Sequence, residues 1–261
     1  MGRPNFTPWA LSLLALTTTL LINPTLTHPT LAKRASAVVM GLAESFGAIA
    51  HTTLTSTGNT VITGDCGTYP GTAITGFPPG VCTGTTSAGG TAAQNAEASC
   101  LTAYNDAKGL VPTDALPSVD LGGMTLAPGV FTFPASAASL SSTLTLDGAS
   151  DPTGQWIFQI ATTFSTSVGS KVLLINGAQA GNVYFQVGSS ATVSGATLLQ
   201  GNLLAYTSIA VGAGASNNGT LCALNGAVTL IDDALVAATT TTTKANCLLE
   251  VILGQLICIT L

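Results

Sequence analysis

Charge is what this sequence has least of. Only 7% of its 261 residues are Asp, Glu, Lys or Arg. Beyond position 34 there is no arginine, and three lysines (Lys108, Lys171, Lys244) face eleven acids, a net charge of −8. Such a chain has no electrostatic footprint for nucleic acid or anionic lipid. Histidine is almost missing too. After residue 34 only His51 remains, in the stretch GAIAHTTLTS, and no C-x-x-C spacing occurs. Neither a metal cluster nor a Ser-His-Asp triad has its parts. Asp232 and Asp233 are the one adjacent acidic pair, and neighbours in a strand point to opposite faces. The paired carboxylates of sugar-cleaving enzymes are therefore not assembled there. No catalytic residue, metal, cofactor or small-molecule substrate is assigned. After the first 34 residues, no clean apolar run of about 20 residues offers a membrane span.

What is present begins with a leader. Arg3 precedes an apolar run from Trp9 to Ile22, interrupted by Ser12 and Thr17–Thr19. That is the pattern of a secretory signal peptide. A Pro/Thr stretch and the dibasic pair Lys33-Arg34 follow, so residues 1–34 are expected to be removed and the mature chain to be secreted. The six cysteines all lie after this leader, which suits an oxidising compartment. Cys66 and Cys82 flank a Gly/Pro-rich stretch, while Cys222 and Cys247 bracket the last regular segment. Those are the preferred pairs, although spacing leaves other connectivities open. Cys100 is read as part of a buried stripe.

Between these landmarks the chain repeats. The segments VYFQ (183–186), LLAY (203–206) and LCAL (221–224) align with one another, so that positions 183, 203 and 221 correspond. Each is followed by a short loop and a second strand: 191–193, 209–211 and 228–230. WIFQ (156–159) is an earlier copy of the VYFQ segment. Short strands repeating at about 20 residues, with Gly and Asn at the corners, are the mark of a β-solenoid. Alternation then sends Ala191, Val193, Ile209, Val211, Val228 and Leu230 inward. Their neighbours Ser190, Thr192, Ser208, Ala210, Ala227 and Thr229 point out. Stacked coil on coil, these make a flat ladder of methyls and hydroxyls.

One segment breaks the pattern. Residues 91–108 (TAAQNAEASCLTAYNDAK) are Ala-rich, lack Gly, Pro and β-branched runs, and stop at Gly109, which predicts a helix. Ala93, Ala96, Cys100, Leu101 and Tyr104 form its apolar stripe, so it should lie along one face of the solenoid. The repeat domain is taken as 35–237. Residues 238–261 form a Thr-rich linker and an apolar tail, readable as a terminal strand pair, a degenerate lipid-anchor signal, or an errant gene end. The sequon Asn218-Gly219-Thr220 is a glycosylation candidate, expected at a corner.

Several of these stretches are also similar to a known family. GTAITGFPPG (71–80), AAQNAEASCLTAYNDAKG (92–109), LAPGVFTF (126–133), WIFQIATTF (156–164), VYFQVGSSATV (183–193) and LNGAVTL (224–230) resemble the ice-binding proteins of the DUF3494 type. The similarity runs from about residue 42 to 237, with the motifs in the family's order. It implies an all-β, discontinuous right-handed solenoid with three faces and one long helix packed along a side. It also implies ice as the partner, met by one flat face, and a secreted fungal antifreeze protein that lowers the freezing point and slows recrystallisation. Cys66, Cys82 and the tail depart from the family pattern. The resemblance carries no short ice-binding motif, so the outward ladder is named by alternation alone. A monomer is expected. The rival reading is a non-catalytic cell-wall or adhesive surface protein on the same scaffold, favoured by the linker and apolar tail.

Overall fold

A computed structural model describes Gly2, residues 37–238 and the strands 247–252 and 255–260. Within the unit Ala35–Leu261 the strands of residues 37–238 fall into three parallel sheets of nine, seven and eight strands, here sheets A, B and C. A strand of each sheet is visited in turn, so each circuit of chain makes one triangular coil. Alternation makes this work, because each strand turns one row of side chains inward and the three inward rows share a core.

Aromatic side chains fill one stretch of that core. Phe131, Phe158 and Phe185 stand in register on three successive strands of sheet A. Their rings stack with centroids 5.3 and 4.9 Å apart, and Phe164 of sheet B closes on Phe185 at 5.1 Å. Leu203, Leu221 and Ala48 continue the row with smaller side chains, all buried.

The coils are not stacked in chain order. Phe46–Ala50 begins in the middle of sheet A, and Asp65–Thr68 and Thr86–Ala88 build outward from it to one edge. The helix Thr91–Gly109 follows, and the chain then rebuilds from Asp114–Ala115 at the opposite edge. Its last circuit, through Leu221–Ala223, Val228–Ile231 and Ala234–Val236, pairs with the first, through Phe46–Ala50, Thr53–Thr57 and Val61–Thr63. The solenoid thus has a seam that joins segments far apart in the chain, with Ala48 opposite Leu221. This is the discontinuity that the family resemblance implies.

The helix packs on the outside of sheet A. Its buried residues are Ala93, Ala96, Cys100, Ala103, Tyr104 and Ala107. Leu101, which the sequence places in this stripe, is instead 42% exposed. The stripe passes through Ala103 and Ala107, and these short side chains bring the helix axis close to the sheet. Cys100 does more than pack. It is bonded to Cys222 on the last circuit, which corrects the expected pairing of Cys222 with Cys247. Helix and strand bring their Cα atoms to 6.2 Å, a separation suited to a disulfide. The Cys66–Cys82 disulfide is formed as expected, again at 6.2 Å between Cα atoms. In the tail, Cys247–Ile252 and Gln255–Thr260 pair as antiparallel strands, in keeping with the terminal strand pair among the three readings of that segment.

Two further expectations shift. The copy VYFQ stacks on the next coil in a different register from the one read above. Phe185 lies opposite Leu203 and Gln186 opposite Leu204, so Phe185 takes the place that the sequence alignment gives to Val183. A shift of two preserves which face each side chain occupies, so alternation is blind to it. Asn218 is the last residue of the strand Ser216–Asn218 in sheet C, and the corner starts one residue later. Gly219 makes that corner with φ of +148°, where an added Cβ would stand 2.1 Å from the Gly201 carbonyl oxygen.

Candidate functional site

Three outer faces compete for a role, and the helix covers much of sheet A. Sheet C is uneven. Val61, Val81, Leu173, Leu198 and Val236 stand exposed on it beside Lys171, Gln200 and the sequon Asn218. Side chains of such different length and polarity present neither a plane nor uniform chemistry.

Sheet B differs. Its central outward row runs Ser139, Ser165, Thr192, Ala210, Thr229, Thr55 and Thr75, each in register with the next. No member is charged and none is longer than threonine. The row crosses the seam between Thr229 and Thr55 without a step. Behind it Ala191, Val193, Ile209, Val211, Val228, Leu230 and Leu54 are buried, as alternation predicts for the first six. Beside it runs a second row containing Ser190, Ser208, Ala227, Thr53 and Ala73. Backbone hydrogen bonds from Phe164 N to Ser190 O, Ala191 N to Ser208 O and Ile209 N to Ala227 O tie its strands together. Thr192, Ala210 and Thr229 are exposed, whereas Ser190, Ser208 and Ala227 are half-buried at the corner. The Ser190 and Ser208 hydroxyls also accept weak bonds from the backbone N–H groups of Ser208 and Ala227, at 3.4 and 3.3 Å. The six residues read from sequence therefore share one face. The central row forms the exposed middle of that face, and the second row lies half-buried along its margin.

Sequence reasoning missed four rungs: Ser139, Ser165, Thr55 and Thr75. Ser165 lies in the segment FST, just after the WIFQI strand, and Thr55 and Thr75 sit in TLTST and AIT. Each has the outward threonine or serine beside inward residues, so a signal existed. What hid Thr55 and Thr75 is the seam, since nothing in local spacing says that residues 53–57 stack beside 228–231.

Two carboxylates border this face, one at an end of its stack and one at a corner. At one end Asp120 bridges to Ser139, and its carboxylate accepts bonds from Gly122 N and from the Ser141 backbone and hydroxyl. At the corner leaving sheet B, Asp232 takes a φ of +51° and accepts a bond from Asn59 N. The pair Asp232-Asp233 thus forms a corner. Asp233 turns inward, 2% exposed, and accepts bonds from Ala215 N at 3.0 Å and Ile231 N at 2.7 Å.

Burial pushes the Asp233 carboxyl up to about 6, against the lowering effect of its two backbone N–H donors. A carboxyl that holds its proton more tightly folded than unfolded stabilises the fold below the ordinary carboxylate range. That contribution is lost as pH rises from about 4 to about 6. The expected result is a difference between proteins: relative to Asp233→Asn, the wild type loses about 2 kcal/mol across that window. Thermal unfolding midpoints of both at pH 4 and pH 7 check it. Parallel midpoints would show that this carboxyl titrates normally.

Comparison with known proteins gives one consistent answer. Residues 48–236 match the family model described as ice-binding-like. An ice-binding protein of Nostoc sp. (strain HG1) is 44% identical over 200 residues, covering 76% of this chain and 74% of that protein. One from Flavobacterium frigoris (strain PS1) is 34% identical, with 74% of each covered. Among solved structures, the ice-binding protein of the Antarctic ascomycete Antarctomyces psychrotrophicus superposes with a TM-score of 0.73 at 41% identity, over 78% of this chain and 100% of that one. An ice-binding protein from an Arctic yeast, described for its antifreeze activity, gives 0.72 at 31% identity, over 79% and 96%.

Proposed function

The chain belongs to the ice-binding-like family, and from that membership we propose that it adsorbs to ice through the outer face of sheet B, acting outside the cell as a secreted monomer. The observation that carries the choice of face is the uncharged, seven-rung register from Ser139 to Thr75.

Rungs of a parallel sheet repeat at about 4.8 Å, and same-face residues along a strand at about 6.6 Å. The two outward rows therefore form a grid of hydroxyls and methyls with a fixed two-dimensional repeat. A hydroxyl can hold one water, and a neighbouring methyl narrows the orientations that water can take without binding it. A carboxylate or ammonium would instead impose its own hydration geometry. A layer ordered in this way can merge with a growing ice plane, and adsorbed molecules then force the front to curve between them. Preorganisation sets the affinity. A face already ordered by coil stacking has little conformational entropy left to lose on adsorption.

The test is ice-recrystallisation inhibition by the purified chain lacking residues 1–34, with freezing-point hysteresis measured on the same sample. Faceted crystals and fine, persistent grains are the expected outcome. Unshaped crystals from a folded sample would remove ice as the ligand and leave the wall or adhesive role as the reading to pursue.

A further inference from the structure

A second site lies away from sheet B, where the C-terminal end of the helix crosses the outer face of sheet A. The outward row there runs Val130, Ile157, Tyr184, an apolar bed suited to a helix. Two residues further along each strand the row becomes Thr132, Gln159, Gln186, polar on three successive coils. An amide against a docked helix costs more than a leucine unless something uses it. Gln159 has a structural use. Its Nε2 donates to the helix-terminal carbonyls of Ala107 at 2.8 Å and Leu110 at 2.9 Å. Gln186 does not cap the helix. It is 3% exposed, and its side chain is hydrogen-bonded to Tyr104.

These groups line an open cleft of about 420 Å³. That is within the about 300–1,000 Å³ typical of small-molecule sites. Tyr206 forms one wall, 47% exposed, with its ring tilted 40° to Tyr104 at 6.0 Å between centroids. Lys108 overhangs the Tyr104 ring, its ammonium 5.9 Å from the centroid. Among the described residues no carboxylate lines the cleft, and Lys108 is the one charged group on its lining.

We propose that this cleft binds an acidic saccharide, a pyranose unit carrying a carboxylate. Each part of that ligand has a counterpart. The exposed Tyr206 ring offers an apolar platform for the C–H face of a sugar ring. The Thr132 hydroxyl and the Gln159 Oε1 are the groups left on the lining to bond ring hydroxyls, since the Gln159 Nε2 is turned to the helix end and Gln186 to Tyr104. Lys108 supplies the charge for the carboxylate. Free inorganic anions would use the lysine alone, and a flat apolar ligand would use the Tyr206 ring alone.

The experiment is calorimetric titration of the whole folded protein with a glucuronic-acid disaccharide, its neutral glucose counterpart and sodium acetate. The uronide is expected to bind saturably and about tenfold more tightly than the neutral sugar. Acetate should give no saturable heat. Tyr206→Ala should weaken both sugars by about tenfold, and Lys108→Gln should remove the preference for the acid. Both variants alter exposed side chains away from sheet B, so unchanged ice-recrystallisation inhibition and thermal midpoint would show that they remain folded. The proposal is overturned by an absence of saturable uronide binding, by equal binding of acetate, or by uronide binding that Tyr206→Ala leaves intact.

Discussion

Ala210→Tyr is expected to remove more than about nine-tenths of the ice activity while leaving the fold intact. Ala210 is the fourth of seven rungs, between Thr192 and Thr229. It is the shortest side chain in the row, so a phenol there stands well above its neighbours and holds the ice front off the whole face. Because Ala210 points to solvent from a strand whose inward residues are untouched, the stability cost should stay within about 0.5 kcal/mol. Circular dichroism and the thermal midpoint check that point, and recrystallisation inhibition with hysteresis checks the loss. The matched control is Leu198→Tyr, on the outer row of sheet C. It adds bulk to the other open face and should leave activity as it was. The reverse pattern, an active Ala210→Tyr and an inactive Leu198→Tyr, would transfer the adsorbing surface to sheet C.

The contrast between those two faces explains how far sequence could lead. Thr192, Ala210 and Thr229 were legible because alternation fixes sidedness within each short strand, and the repeat then sets the three opposite one another. The helix was legible because Ala-rich, Gly-free sequence is rare in this chain. Three things were not. A slip of two positions in the register between Phe185 and Leu203 leaves every inward residue inward, so hydrophobic pattern carries no information about it. The Cys100–Cys222 bond depends on where the helix lies along sheet A, a tertiary fact with no local trace. The extension of the ladder through Thr55 and Thr75 depends on the seam, which pairs the first coil with the last. Patterning reads which side of a strand is wet; it does not read which strand comes next in space.

That seam is where the second large effect is expected. Cys222 lies in the strand Leu221–Ala223, whose neighbour across the seam is Phe46–Ala50, with Cys222 opposite Ile49. Its bond to Cys100 ties the last coil to the helix, and the helix in turn packs on Phe46–Ala50 and Asp65–Thr68 of the early coils. The disulfide therefore holds together two stretches of solenoid that meet only through backbone pairing and side-chain contact. The bond spans 122 residues, against 16 for Cys66–Cys82. Restricting the unfolded chain is worth about 5 kcal/mol for the longer loop and about 3 kcal/mol for the shorter. A Cys100→Ser/Cys222→Ser double variant should accordingly lose more stability than Cys66→Ser/Cys82→Ser, visible as the larger drop in thermal midpoint. It should also lose ice activity at temperatures where the wild type keeps it. If the seam loosens, the row breaks between Thr229 and Thr55, and five rungs remain registered of the original seven. Hydrogen exchange at the backbone amides of 46–57 and 221–231 would register that opening directly. Equal losses from the two double variants, with those amides still protected, would mean that coil packing alone holds the seam.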